Sequence, residues 1–183
     1  MENLENQKSS DKIIVISLKN DSERERITKK SLENILSKYS LDKWVFCQNV
    51  TIEQDARGKA FPFITLSAWR DAEEGLLAQF LHEQIHWIEN GKEEQKNQAI
   101  EELKAIFPNA PVGRPEGADN EKSTYWHLII CRLEFLALIE LLGEEKAKNI
   151  LLNRKVYTWI RRIVVEKWLD IDPIINKYFS SYI

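Results

Sequence analysis

Apolar positions come in short runs over the first seventy residues and at helical spacing from there almost to the end of the chain. Residues 13–18, IIVISL, are a β-branched run of the kind that forms a buried strand, and KNDSERE after it offers Asp21 or Ser22 as a helix cap. Ile27, Leu32, Ile35, Leu36 and Tyr39 then recur at the period of an amphipathic helix. WVFCQNVTIEQ alternates enough for a second strand, and FPFITLSAW, after the turn-forming DARGKA, predicts a third. Pro62 lacks a ladder donor, which places that third strand at a sheet edge.

From Asp71 the pattern predicts a helix that opens on Asp71, Glu73 and Glu74, where acids suit the positive end of the dipole, and stops at Asn90-Gly91. EEQKNQAIEELKAIF predicts a further helix. PNAPVGRPEGADN is the one long loop, a length more often functional than idle in a compact domain. STYWHLIICRLEFLALIELLG is apolar around most of its circumference, as a buried helix is, and two or three helices finish the chain, VYTWIRRIVVEKW the clearest. The order β-α-β-β followed by helices predicts an α+β fold: a small N-terminal mixed sheet and a C-terminal helical bundle. Residues 1–11 are expected to be a flexible tail and 12–183 a single domain.

Composition adds limits. At 183 residues and 43% hydrophobic the chain can bury a sizeable core, and a net charge of −3 gives no reason to invoke nucleic acid or an anionic membrane. No apolar run reaches the ~18 residues that span a bilayer, and no apolar h-region opens the sequence. Cys47 and Cys131 lie in apolar stretches without CxxC spacing, so both are expected to be reduced core residues and the protein cytoplasmic. The oligomeric state is not encoded.

The chemistry concentrates in FLHEQIHWIEN. His82 and His86, four apart on a helix, can aim their rings at one point, the geometry that zinc takes from two neutral imidazoles. Glu83 lies beside that point and can take a proton from an activated water. A catalytic zinc needs a third ligand and one open position. His127 and Glu134, seven apart on the later apolar helix, fall on one stripe within ~20° but ~10.5 Å apart along the axis, too far for both to bind one ion. Glu134 is favoured as ligand, because an ionised carboxylate deep in an apolar helix most needs a cation; His127 is then left to hydrogen-bond substrate or the oxyanion. The alternatives are a core histidine at 127 and a salt bridge from Glu134 to Arg132, Arg161 or Arg162. Tyr125 and Tyr157 are candidate oxyanion donors, Tyr157 as a substrate-binding residue that closes over the cleft.

HEQIH at 82–86, together with Glu134-Phe135-Leu136-Ala137 as an ExxA element, resembles the zincin metallopeptidases and among them the small gluzincins called minigluzincins. The resemblance covers roughly residues 12–142. It implies a zincin-like frame, a Zn2+ cofactor, peptide hydrolysis with Glu83 as general base, and a peptide or protein substrate aligned along edge strand 61–69. Glu89 and Lys92 stand where metzincins carry a glycine and a third histidine. Leu138 stands where thermolysin-like enzymes carry an aspartate that orients a ligand histidine. The alternative expectation is a weakly active or inactive zinc-binding regulatory domain on the same frame.

Overall fold

The computed structural model describes residues 12–68 and 73–182. The expected tail, Trp69 at the end of the third strand, and Asp71 lie outside them.

Three short strands, β1 (Val15–Leu18), β2 (Asn49–Glu53) and β3 (Ile64–Ser67), form one sheet in the order β1-β2-β3. Both pairs are parallel, Val15 opposite Asn49 and Val50 opposite Ile64. The sheet is therefore parallel, where a mixed one was expected. The chain returns from β2 to the start of β3 through residues 54–63, and the only antiparallel pairing among the described residues is an isolated bridge from Lys59 to Thr65. β1 is an edge strand with Val15 57% exposed, so its β-branched run does not mean burial; among the described residues helices pack on one face of the sheet only.

Helix α1 (Glu23–Lys38) starts at Ser22 with a capping box: the Ser22 hydroxyl accepts from the Glu25 amide, and the Glu25 carboxylate accepts from Ser22. Glu25 also accepts from the amides of Asn20 and Gln54, tying the ends of β1 and β2 to this helix start. Among the described residues there are seven α-helices, continuing with α2 (Glu73–Ile85), α3 (Glu93–Ile106), α4 (Glu121–Leu142), α5 (Glu144–Leu152), α6 (Thr158–Glu166) and α7 (Trp168–Phe179). The architecture is α+β and mostly helical. Among the described residues no helix is long and apolar enough to cross a membrane.

Helix α2 lies between the sheet and α4, and every residue from Leu76 to Ile85 is buried. That position explains why its apolar residues occupy all sides instead of a stripe. Its α-helical geometry ends at Ile85, sooner than the sequence pattern suggests; His86–Glu89 form one 3-10 turn before Gly91 at φ 73°. Gln84, inside the HEQIH stretch, points away from the histidines: its carbonyl accepts from the amides of Phe46 and Cys47, 2.8 Å each, and its amide donates to the Cys47 carbonyl. These bonds satisfy the irregular chain that precedes β2 and fix α2 against the sheet. Cys47 and Cys131 are both buried and free.

Helix α4 is the centre of the bundle, packed on α2, α3, α5, α6 and α7. Asn120 caps it by accepting from the Ser123 amide, and Arg132 holds α7 through a bidentate pair with Asp172, 2.6 and 2.8 Å.

Candidate metal centre

The burial of α2 and α4 against each other puts His82 and His127 in the interior, and the 3-10 turn after α2 sets the half-buried His86 beside them. The ring centroids of His82, His86 and His127 form a triangle with sides of 5.0, 5.0 and 5.6 Å. One ligand atom from each lies within 4.8 Å of the others. A tetrahedral zinc at ~2.0–2.1 Å needs its ligand atoms roughly 3.4 Å apart, which modest rotation of the rings supplies. The structure thus brings all three histidines to one point.

Their outer nitrogens are directed outward. His82 Nδ1 donates to Oε2 of Glu134 at 2.9 Å. His127 Nδ1 lies 2.7 Å from the Ser123 carbonyl, which only accepts, so the proton sits on Nδ1. His86 Nδ1 faces Oε1 of Glu89 at 3.8 Å, and Lys96 pairs with the other Glu89 oxygen. In His82 and His127 this leaves Nε2 as the unprotonated nitrogen, the form that binds a metal. Burial keeps both rings neutral: it draws His82 down to about 4 against the opposing pull of Glu134, and His127 well below its ordinary value.

Glu134 is fully buried. Its second oxygen accepts from Arg161 Nη1 at 3.2 Å, and Arg161 is itself 2% exposed. Burial alone would push the Glu134 carboxyl up, but Arg161 and the His82 hydrogen bond hold it far below the usual carboxylate range. Of the three arginines named from sequence, Arg161 is the partner. Arg132 is engaged with Asp172.

A second grouping, His82, Cys131 and Glu134, is also compact. It suits an ion less well, because its His82 and Glu134 atoms are already bonded to each other and burial pushes the Cys131 thiol up to about 12.

Glu83 stands beside the histidines in a cavity of about 240 Å³. Burial, and then the charge of Glu134, raises its carboxyl to about 8. In the metal-free chain Glu83 is therefore largely protonated near neutrality; a divalent cation at the histidines would draw that value down again. The loop after β2 is shaped to this carboxylate. A Cβ on Gly58 would collide with Glu83 Oε1 and come within 3.0 Å of Gln79 Nε2. Trp87 secures the loop by donating to the Ala60 carbonyl at 2.9 Å.

Tyr157 also reaches the site. Its ring centroid is 4.5 Å from that of His127 and 6.2 Å from that of His82. Its backbone is left-handed, φ 58° and ψ 37°, an uncommon conformation for an aromatic residue that the start of α6 maintains. Arg161 N–H donates to its carbonyl at 2.8 Å, and the next amide, Thr158, donates to Pro115 of the long loop at 2.9 Å. Tyr125 does not share the site: its hydroxyl donates to the Phe107 carbonyl and anchors the loop.

The edge expected to align a peptide is shorter than 61–69. Strand β3 spans Ile64–Ser67, and the outward amide and carbonyl of Thr65 are both bonded to Lys59, at 2.8 and 3.0 Å. Ser67, two residues on, shares that outward orientation and lines the Glu83 cavity.

Sequence reasoning missed Gly58, Gln84 and Ser123, and of the arginines that line that cavity it named Arg161 but not Arg57, Arg114 or Arg154. Gly-Lys within DARGKA was a visible turn signal, but nothing local ties it to Glu83. No family model, curated protein or solved structure matches the chain.

Proposed function

We propose that the chain is a zinc-dependent metallopeptidase on a zincin-like frame, with His82, His86 and His127 holding the ion and Glu83 as general base. The observation that carries this reading is the triangle of three imidazoles, two buried and His86 half-buried, with a carboxylate beside it. Three protein ligands leave one position of a tetrahedral ion open, as catalysis requires. In this reading Glu134 is a positioning residue: it fixes the His82 tautomer and raises the basicity of the ring.

A zinc ion so held would lower the pKa of water toward ~7 and polarise a substrate carbonyl. The protein supplies the rest. Glu83, confined by Gly58 and Gln79, takes a proton from the attacking water and returns one to the leaving amine. The Tyr157 hydroxyl, carried over the histidines by the left-handed turn, is the donor toward the developing oxyanion. Ser67 offers an outward amide and carbonyl to the substrate backbone.

Two measurements on one preparation test the proposal. The purified chain should take up about one zinc and cleave peptides, and E83Q should keep the zinc while losing hydrolysis by at least ~10²-fold. A chain that binds no stoichiometric zinc refutes it. Zinc binding with turnover unaffected by E83Q refutes the role of Glu83.

A further inference from the structure

The cavity beside the histidines is built for an anion. Four arginines line it, Arg57, Arg114, Arg154 and Arg161, and among the described residues Glu83 is the only acidic one of the lining. Arg161 is balanced by Glu134, and Arg154 donates to the Gly75 carbonyl at 3.3 Å. Arg57 and Arg114 have no carboxylate partner among the described residues. Arg114 reaches in from the long loop: its guanidinium carbon lies 5.8 Å from the centre of the Tyr157 ring, and it donates to the Tyr157 hydroxyl. Two planar forks facing a small cavity next to a divalent-cation site can bind a carboxylate bidentately.

The sheet edge limits what enters. Lys59 occupies the outward groups of Thr65, so a substrate paired at Ser67 meets the protein's own backbone one pairing position further along. A peptide that ended there, or turned away from the edge, would leave its carboxylate among the arginines.

We propose that this cavity binds a carboxylate of the substrate adjacent to the scissile bond, with Arg57 and Arg114 as its receptors; the proposal rests on the peptidase reading of the same site. The shared chemistry is a carboxylate, from either a free C-terminus or an acidic side chain.

The test uses zinc-loaded E83Q as a binding trap and wild type for turnover. Calorimetry compares a blocked tetrapeptide of neutral residues as free acid, the same peptide as C-terminal amide, and amides carrying one aspartate or its asparagine counterpart. The free acid, or the aspartyl amide, is expected to bind at least ~10-fold tighter than its neutral partner. R57Q and R114Q, both at exposed positions, should remove that preference while circular dichroism stays unchanged. Preference for the free acid assigns a C-terminal carboxylate, and preference for aspartate assigns a side chain. Equal binding of all four peptides, or binding of none, overturns the proposal, whether or not wild type hydrolyses them. A carboxylate preference without any hydrolysis by wild type upholds the cavity and refutes the peptidase reading instead.

Discussion

Replacing Glu134 by glutamine separates a ligand from a residue that orients one. Glu134 is enclosed by His82 on one oxygen and Arg161 on the other, both buried. The amide oxygen of glutamine can still accept from one of them, but the Arg161 guanidinium loses its counter-charge. Breaking a buried pair from one side costs roughly 3–5 kcal/mol, and the retained hydrogen bond places E134Q near the lower end. His82 stays in the triangle with its tautomer less firmly held, so zinc affinity should fall by ~10–100-fold with stoichiometry still near one. Urea unfolding of the metal-free protein reads the first effect, and a chelator competition titration reads the second. The paired substitution E134M/R161M sharpens the contrast. It removes both charges and should recover most of the lost stability, since apolar replacement of a whole buried pair is often neutral or better, while zinc affinity stays reduced. If E134Q abolishes stoichiometric zinc binding as a histidine deletion would, Glu134 is a ligand and the orienting role is wrong. If neither stability nor affinity changes, the pair does nothing that the geometry assigns to it.

The raised Glu83 carboxyl predicts the pH dependence of the metal-free chain. Between about 4.5 and 8 the folded protein keeps a proton that the unfolded chain releases, so this group makes stability fall as pH rises through that window. E83Q lacks the effect, and its stability advantage over wild type should grow from near zero at pH 4.5 to at most roughly 5 kcal/mol at pH 8. The proton binding of His82 and His127 is common to both chains, and zinc should shrink the difference; a difference that is flat with pH contradicts the assigned environment. G58A pushes a methyl group against the Glu83 carboxylate, so turnover should drop by ~10-fold or more at unchanged zinc content. An unaltered kcat in G58A would mean that the loop does not confine the base. Y157F should lower kcat by ~10–10³-fold with KM and zinc little changed, and equal losses in unfolding stability would assign the tyrosine to packing instead.

Much of this was legible in the sequence because it rests on local spacing. HEQIH places two imidazoles one turn apart wherever a helix forms, and His127 with Glu134 on one stripe of an apolar helix can only face a neighbour. The order of the first elements followed from β-branched runs, turn residues and a helix cap offered at Asp21 or Ser22, of which Ser22 is the one used. What spacing does not carry is which distant side chain answers a buried charge. Glu134, a carboxylate deep in an apolar helix, has Arg161 as the cation beside it, on a helix whose docking no local pattern reveals. That leaves the histidine point to His127, whose outer nitrogen is satisfied by the carbonyl of its own preceding turn. Strand direction was equally hidden, since alternation is the same in parallel and mixed sheets; the parallel return through residues 54–63 is what brings Gly58 against Glu83 and Lys59 across the edge of β3.

The central claim is a three-imidazole site, and X-ray absorption at the zinc edge of the loaded protein measures it directly. Three imidazole nitrogens and one oxygen at ~2.0–2.1 Å, with the outer-shell scattering of three rings, is the predicted result. Two imidazoles with a protein carboxylate, or any sulfur ligand at ~2.3 Å, would contradict it.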